Sequence, residues 1–319
     1  MMESPFRILF AGNPEIAVPA LVALSNHFTV CGVLTNPDKP SGRGRKLEMP
    51  PVKKQALKLG IPVLQFDSLG LEARIAVAAL MPNFLVSFAC GHYFGPKFLH
   101  LFDKGSVNIH PSLLPLYRGC SPIQFALLHG KKETGITIQR IAKEIDSGSL
   151  LLQKQLPLVG NETTQSLSHL VANEAAVLIV ETLTKLGNGE IQEHDQIGQA
   201  SWTTMIEKTD AIIDWNQSAR LIHCMIRAYY PWPKASTVWE GKDLFITGVW
   251  GIDEQAGLEA NPSGSQVGQV VGFDKTKGLA VACNDGLLYV NRLQLAQKKE
   301  LASRDFVNGN PSIIGSLLG

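Results

Sequence analysis

Short apolar runs alternate with helical patterns along the first half of the chain, and this alternation limits the possible folds more than any other feature. Phe6–Gly12, Thr29–Leu34, Pro62–Gln65, Phe84–Ala89 and Val107–His110 read as short buried strands. Between them the apolar residues fall at helical spacing, as in Ile16, Ala17, Ala20, Leu21 and Leu24. A second helix, Val52–Leu59, is opened by Pro51 and stopped by Gly60. The order strand, helix, strand predicts a doubly wound α/β domain with a largely parallel, Rossmann-like sheet. Asn13 stands where a helix N-cap belongs, with Pro14 at the first helical position and Glu15 in the first turn. The turn after Gly12 lacks G-x-G-x-x-G, which argues against a dinucleotide site.

The pattern changes further along. Thr137–Ile141 and Ser149–Leu156 read as a strand pair around a turn that holds Asp146. Thr164–Leu186 reads as a long amphipathic helix stopped by Gly187-Asn188-Gly189. Residues 188–209 are polar and mixed, as expected of a linker. After a helix at Gln217–Ala228 come short β-type segments: Ser236–Trp239, Asp243–Trp250, Gln266–Val271, Gly278–Cys283 and Leu287–Leu293. Their spacing predicts a small barrel or sandwich, closed by a helix near Ala302–Val307. The expected division is a domain at 1–187, a linker at 188–209 and a β domain at 210–319, in keeping with a 319-residue chain.

Bulk properties exclude some classes. A net charge of +1 gives no global basic field, so any nucleic acid would have to be held by a local patch. The 5 cysteines are scattered and never spaced C-x-x-C, which points to reduced thiols in a cytosol without a zinc site or disulfide framework. The N-terminal residues lack the order of a signal peptide, and no apolar run approaches the length of a membrane span. His92, His100, His129 and His223 have no ligand-spaced partners, so no metal is expected. Trp215 and Trp232 are expected to pack rather than stack on bases, and Cys90 and Cys120 to be small buried hydrophobes.

The chemistry concentrates in Asn108-Ile109-His110-Pro111-Ser112-Leu113-Leu114-Pro115 and in Asp146. Asn108 and His110 are two apart on a strand and share a face. An imidazole titrates near neutrality and takes a proton from an attacking amine. An amide N–H bonds a developing oxyanion, an effect of about 3 kcal/mol. A carboxylate orients the imidazole and favours its charged form. The stiff, proline-ended segment that follows, with free backbone groups, suits a flat heterocycle held edge-on.

These residues resemble the folate-dependent formyltransferases. The resemblance rests on N-x-H-x-S-L-L-P, then Tyr117-Arg118-Gly119, Ser121-Pro122-Ile123-Gln124, Glu133-Thr134-Gly135-Ile136-Thr137-Ile138, and an aspartate in a Gly-containing turn. It implies Asn108, His110 and Asp146 as catalytic trio, and 10-formyltetrahydrofolate as donor against Ser112, Leu113, Leu114 and Pro115. The loop Pro37-Asp38-Lys39-Pro40-Ser41-Gly42-Arg43-Gly44-Arg45-Lys46-Leu47, extended in charge by Lys53 and Lys54, is similar to the insertion loop of the tRNA-acting members. It implies initiator methionyl-tRNA as acceptor, with Arg43, Arg45 and Lys46 as contacts, and an OB-like barrel for the C-terminal β domain. Cys90, Glu144 and Ser149 stand where the family commonly has a tyrosine, a glycine and an aspartate.

Overall fold

The computed structural model describes residues 5–41, 46–251 and 255–319. The chain forms two compact units, the first Met1–Gly119 with Gly135–Leu156 and Ser168–Trp202, the second Cys120–Thr134 with Pro157–Leu167 and Thr203–Gly319.

The first unit carries strands β1 (Arg7–Gly12), β2 (Thr29–Thr35), β3 (Lys39–Ser41), β4 (Lys46–Glu48), β5 (Val63–Gln65), β6 (Phe84–Phe88), β7 (Ser106–His110) and β8 (Arg118–Gly119). Helices α1 (Val18–His27), α2 (Pro51–Lys58), α3 (Leu71–Ala79) and α4 (Pro96–Leu99) lie between them in sequence. A further helix, α5 (Pro122–Leu128), precedes the hairpin strands β9 (Glu133–Arg140) and β10 (Leu150–Pro157), and α6 (Thr164–Gly187) follows. The main sheet has 7 strands in the order β10-β9-β7-β6-β1-β2-β5. From β5 to β7 every pairing is parallel, and β9 joins β7 antiparallel. Ile8, Leu9, Phe10, Val33, Leu34, Leu85 and Val86 are fully buried. Continuous apolar runs are what a parallel sheet covered on both faces demands.

Asn13 does not cap a helix. A short 3-10 turn at Glu15–Ala17 is preceded by Pro14, and α1 begins only at Val18. The Asn13 side chain instead satisfies loop backbone, accepting from Asn36 N–H at 2.6 Å and donating to the Cys90 carbonyl. It thereby ties together the segments that follow β1, β2 and β6.

Helix α6 is long and apolar enough to cross a membrane by length and composition, although scattered polar residues hide this from a search for unbroken runs. Half of its apolar window is buried inside the protein. Leu167, Val171, Ala175, Ile179 and Leu183, at helical spacing, form its fully buried stripe. A two-residue strand, β11 (Trp202–Thr203), pairs with β8.

In the second unit α7 (Ala219–Ala228) is capped by Ser218, whose hydroxyl accepts from Leu221 N–H at 3.2 Å. Strands β12 (Ala235–Trp239), β13 (Lys242–Val249), β14 (Val270–Asp274), β15 (Gly278–Ala282) and β16 (Leu287–Leu295) form a separate sheet in the order β12-β13-β16-β15-β14. All these pairings are antiparallel. Strand β17 (Leu301–Ala302) adds to β16 and α8 (Ser303–Gly309) follows it. Strand β14 starts later than its apolar pattern suggests, because Gly268 turns the chain at φ +83°. The C-terminal residues then reach both ends of the strand order. Gly315 N–H bonds the Val270 carbonyl at 2.7 Å, and Gly319 N–H bonds the Val238 carbonyl at 3.0 Å. Trp215 is in the core, its indole N–H on Thr237 at 3.1 Å. Trp232 is not; the residue is 54% exposed.

Candidate active site

Asn108 and His110 project from β7 toward Asp146, which arrives by an indirect route. Because β9 runs antiparallel to β7, Gln139 lies opposite Asn108 and Arg140 opposite Val107. The chain therefore leaves β9 beside the start of β7, where Ile141 N–H meets the Ser106 carbonyl at 3.4 Å. Residues 141–149 must fold back to bring Asp146 to its partners. Two backbone features make the turn: Asp146 sits at φ +51°, and Gly148 packs on the Arg140 carbonyl with no room for a side chain.

The Asp146 carboxylate is the hub. Its Oδ1 accepts from Asn108 Nδ2 at 3.3 Å and from Gln139 Nε2 at 2.7 Å. Its Oδ2 accepts from Gly119 N–H at 2.9 Å and lies 3.5 Å from His110 Nδ1. The other ring nitrogen, His110 Nε2, lies 2.8 Å from the Tyr117 carbonyl. That contact fixes the ring plane and puts a proton on Nε2, so Nδ1 faces the carboxylate. His110 is 3% exposed. Burial pushes its pKa below the ordinary histidine range, while the Asp146 charge and the Tyr117 carbonyl pull the other way. Desolvation thus opposes the charged form that the Asp146 carboxylate favours.

The segment Ser112–Pro115 is stiff because its backbone is tied within the unit. Thr137 Oγ1 donates to the Ser112 carbonyl at 2.7 Å and accepts from Leu114 N–H at 3.2 Å. Gln153 Nε2 donates to the Leu114 carbonyl at 3.0 Å, and Leu116 N–H to that of Leu113 at 3.0 Å. These groups were expected to be open to a heterocycle; they are instead already bonded to the chain. The Ser112 side chain is fully buried and donates to the Leu116 carbonyl at 2.6 Å. Leu114 is buried, whereas Leu113 and Pro115 are half-buried. A Cβ at Gly135 would fall 2.4 Å from Leu113 Cδ2, so the glycine of that motif makes room for the leucine.

Of the expected nucleic-acid contacts, Arg43 and Arg45 lie outside the described residues, and Lys46 opens β4 opposite Ser41. The charge on Lys53 and Lys54 is matched by acids. Lys53 pairs with Asp38 at 2.8 Å and Lys54 with Glu48 at 3.1 Å. Cys90 is buried, which raises its thiol to about 12, whereas Cys120 is exposed rather than buried. Ser149 donates to Glu193 at 2.8 Å, a carboxylate that also binds Arg140.

Gln139, Thr137, Gln153 and Gln196 were not singled out from the sequence. Thr137 and Gln139 carry a usable signal: polar side chains two apart in the buried middle of a strand, alternating with Ile136 and Ile138. Gln196 carries none, being one polar residue among many.

The chain has relatives over nearly its whole length. Residues 7–183 match the family model described as formyl transferase, and residues 205–311 match that of the formyl transferase C-terminal domain. A methionyl-tRNA formyltransferase of Treponema denticola is 39% identical over 317 residues, covering 97% of this chain and 98% of its own. One from Roseiflexus castenholzii is 40% identical over 317 residues, covering 98% and 99%. Among solved structures, the N-formyltransferase from Helicobacter canadensis in complex with folinic acid and dTDP-3-aminofucose superposes with a TM-score of 0.61 at 19% identity, over 92% of this chain and 100% of its own. HypX from Aquifex aeolicus in complex with tetrahydrofolic acid gives 0.61 at 15% identity, over 95% of this chain and 47% of its own.

Proposed function

The chain belongs to the methionyl-tRNA formyltransferase family, and on that premise we propose how its own residues move a formyl group from 10-formyltetrahydrofolate to the α-amine of initiator methionyl-tRNA. The observation that carries the reading is the convergence on Asp146: one carboxylate lies 3.3 Å from the Asn108 amide and 3.5 Å from the His110 ring. Asn108 holds the formyl oxygen and the anion that develops on it. Neutral His110 accepts the proton that the amine loses as its nitrogen bonds the formyl carbon. Asp146 stabilises the imidazolium so formed. His110 then returns the proton to the donor nitrogen as the old carbon–nitrogen bond breaks, so no net charge is left on the protein. An α-amine suits this machinery, since it titrates about 2–3 units below a lysine and is nucleophilic near neutrality. Ser112, Leu113, Leu114 and Pro115 form the wall against which the donor ring rests, with Leu113 and Pro115 presenting its accessible side chains.

Arg43, Arg45 and Lys46 contact the acceptor-stem end of the tRNA, as a Gly-rich cationic loop suits phosphates and unpaired bases. The division into a catalytic domain at 1–187, a linker at 188–209 and an OB-like barrel at 210–319 is supported by the spans of the two family models. Barrel closure is further supported by the C-terminal residues, which bond to β14 and β12 at opposite ends of the strand order. The chain acts as a cytoplasmic monomer. Transfer of labelled formyl from the folate donor to methionyl-tRNA, with an amino-sugar nucleotide as rival acceptor, tests the reading. Label on the sugar and none on the tRNA refutes it.

A further inference from the structure

A trio can be complete in sequence and still misaligned, and here Asp146 is the member at risk. Its loop leaves the sheet beside the start of β7 and has to be held back over Asn108 and His110. One side chain is placed to aim the carboxylate. Gln139 is 1% exposed, sits opposite Asn108 in the strand register and donates to Asp146 Oδ1 at 2.7 Å. That bond is shorter than the 3.3 Å contact from Asn108 to the same oxygen. With Oδ1 held by Gln139 and Oδ2 by Gly119 N–H, the plane of the carboxylate is set and Oδ2 is turned to the imidazole. Gln196 holds the loop backbone itself. Its Nε2 donates to the carbonyls of Asp146 at 2.8 Å and Gly148 at 2.9 Å, and it approaches Gln139 Oε1 at 3.4 Å. Arg118 in turn orients Gln196, donating to its Oε1 at 2.7 and 3.1 Å.

We propose that Gln139 is a positioning residue for formyl transfer, aiming the Asp146 carboxylate at His110 with a neutral amide, while Gln196 braces the loop that carries Asp146. The role rests on the functional reading given above. Neutrality is part of the design. An amide donor fixes the carboxylate without adding charge, so the carboxylate remains free to answer the charge that appears on His110. A carboxylate at 139 would compete for the same proton.

The test uses the full chain, labelled formyl transfer and two variants that differ in what they remove. Gln139→Met fills the space and deletes the donor. The expected result is a kcat lower by about 10- to 100-fold, with KM for both substrates within about two-fold of wild type. Gln139→Glu keeps the side-chain length and sets two buried carboxylates together. When protonated, the substituted side chain still donates to Asp146; when ionised, it repels it. Its kcat/KM should therefore fall as pH rises through about 6–8, a limb the wild type lacks. Thermal unfolding of both variants identifies a folding defect, and if Gln139→Met fails to fold, the isosteric Gln139→Glu profile decides. Wild-type kcat in both variants overturns the positioning role, as does a Gln139→Glu loss that does not depend on pH. A wild-type chain that transfers no label overturns the functional reading and this role with it. A wild-type chain that transfers while the variants match it overturns this role alone.

Discussion

Gly148 passes so close to Arg140 that a Cβ on the glycine would fall 1.9 Å from the arginine's carbonyl oxygen. Backbone on both sides leaves nothing to swing aside, so any side chain at 148 must displace the loop. Gly148→Ala is expected to lower stability by about 1–3 kcal/mol in denaturant unfolding. It should also cut turnover by about 100-fold, because Asp146 moves with the loop. Wild-type turnover in a variant that folds would show that the carboxylate position tolerates loop movement.

Removing the oxyanion donor or the proton acceptor should act on chemistry and spare binding. Asn108→Ala and His110→Ala are each expected to lower single-turnover formylation by about 10²–10⁴-fold, with tRNA affinity close to wild type. A parallel tRNA binding assay separates the two effects. Near-normal turnover in both variants refutes the assignment.

The acid limb of the pH profile should lie low. Burial pushes the His110 pKa below its unfolded value of about 6.5, and the neutral ring is the proton acceptor. Activity is therefore full above about 6.5 and is lost only as pH falls through the lower folded value. Stability has the same sign. On acidification the unfolded chain takes up this proton first, so the contribution of His110 is present above about 6.5 and fades below it. A kcat/KM profile, with ring titration followed by NMR, checks both, and an acid limb above 6.5 contradicts the burial argument.

Arg43→Ala should weaken tRNA use while leaving folate binding intact. If the side chain meets a phosphate, the slope of log affinity against log salt falls by about 1. Unchanged tRNA affinity with weakened donor binding would relocate the loop to the other substrate.

How far the site could be read in advance depended on whether its parts were local. Asn108 and His110 were legible because a strand has period two, and the same rule marks Thr137 and Gln139 on the neighbouring strand. The parallel core was legible because unbroken apolar runs admit few alternatives. Features set by distant contacts were not. Asn13 looks like a cap until Asn36 and Cys90 are brought beside it, and Lys53 looks like free positive charge until Asp38 meets it. The resting charge of His110 depended on a balance between burial and Asp146 that no spacing encodes. Gln196, 50 residues beyond Asp146, looked like solvent-facing filler in a polar stretch.

Residues from 188 to 196 thus tether a strut that the trio itself does not contain. A single proteolytic nick between α6 and Gln196 would leave Asn108, His110 and Asp146 on one fragment with every covalent bond among them intact. Gln196 would then sit on the other fragment, held to the loop by non-covalent contacts alone, so turnover should fall although every member of the trio is intact.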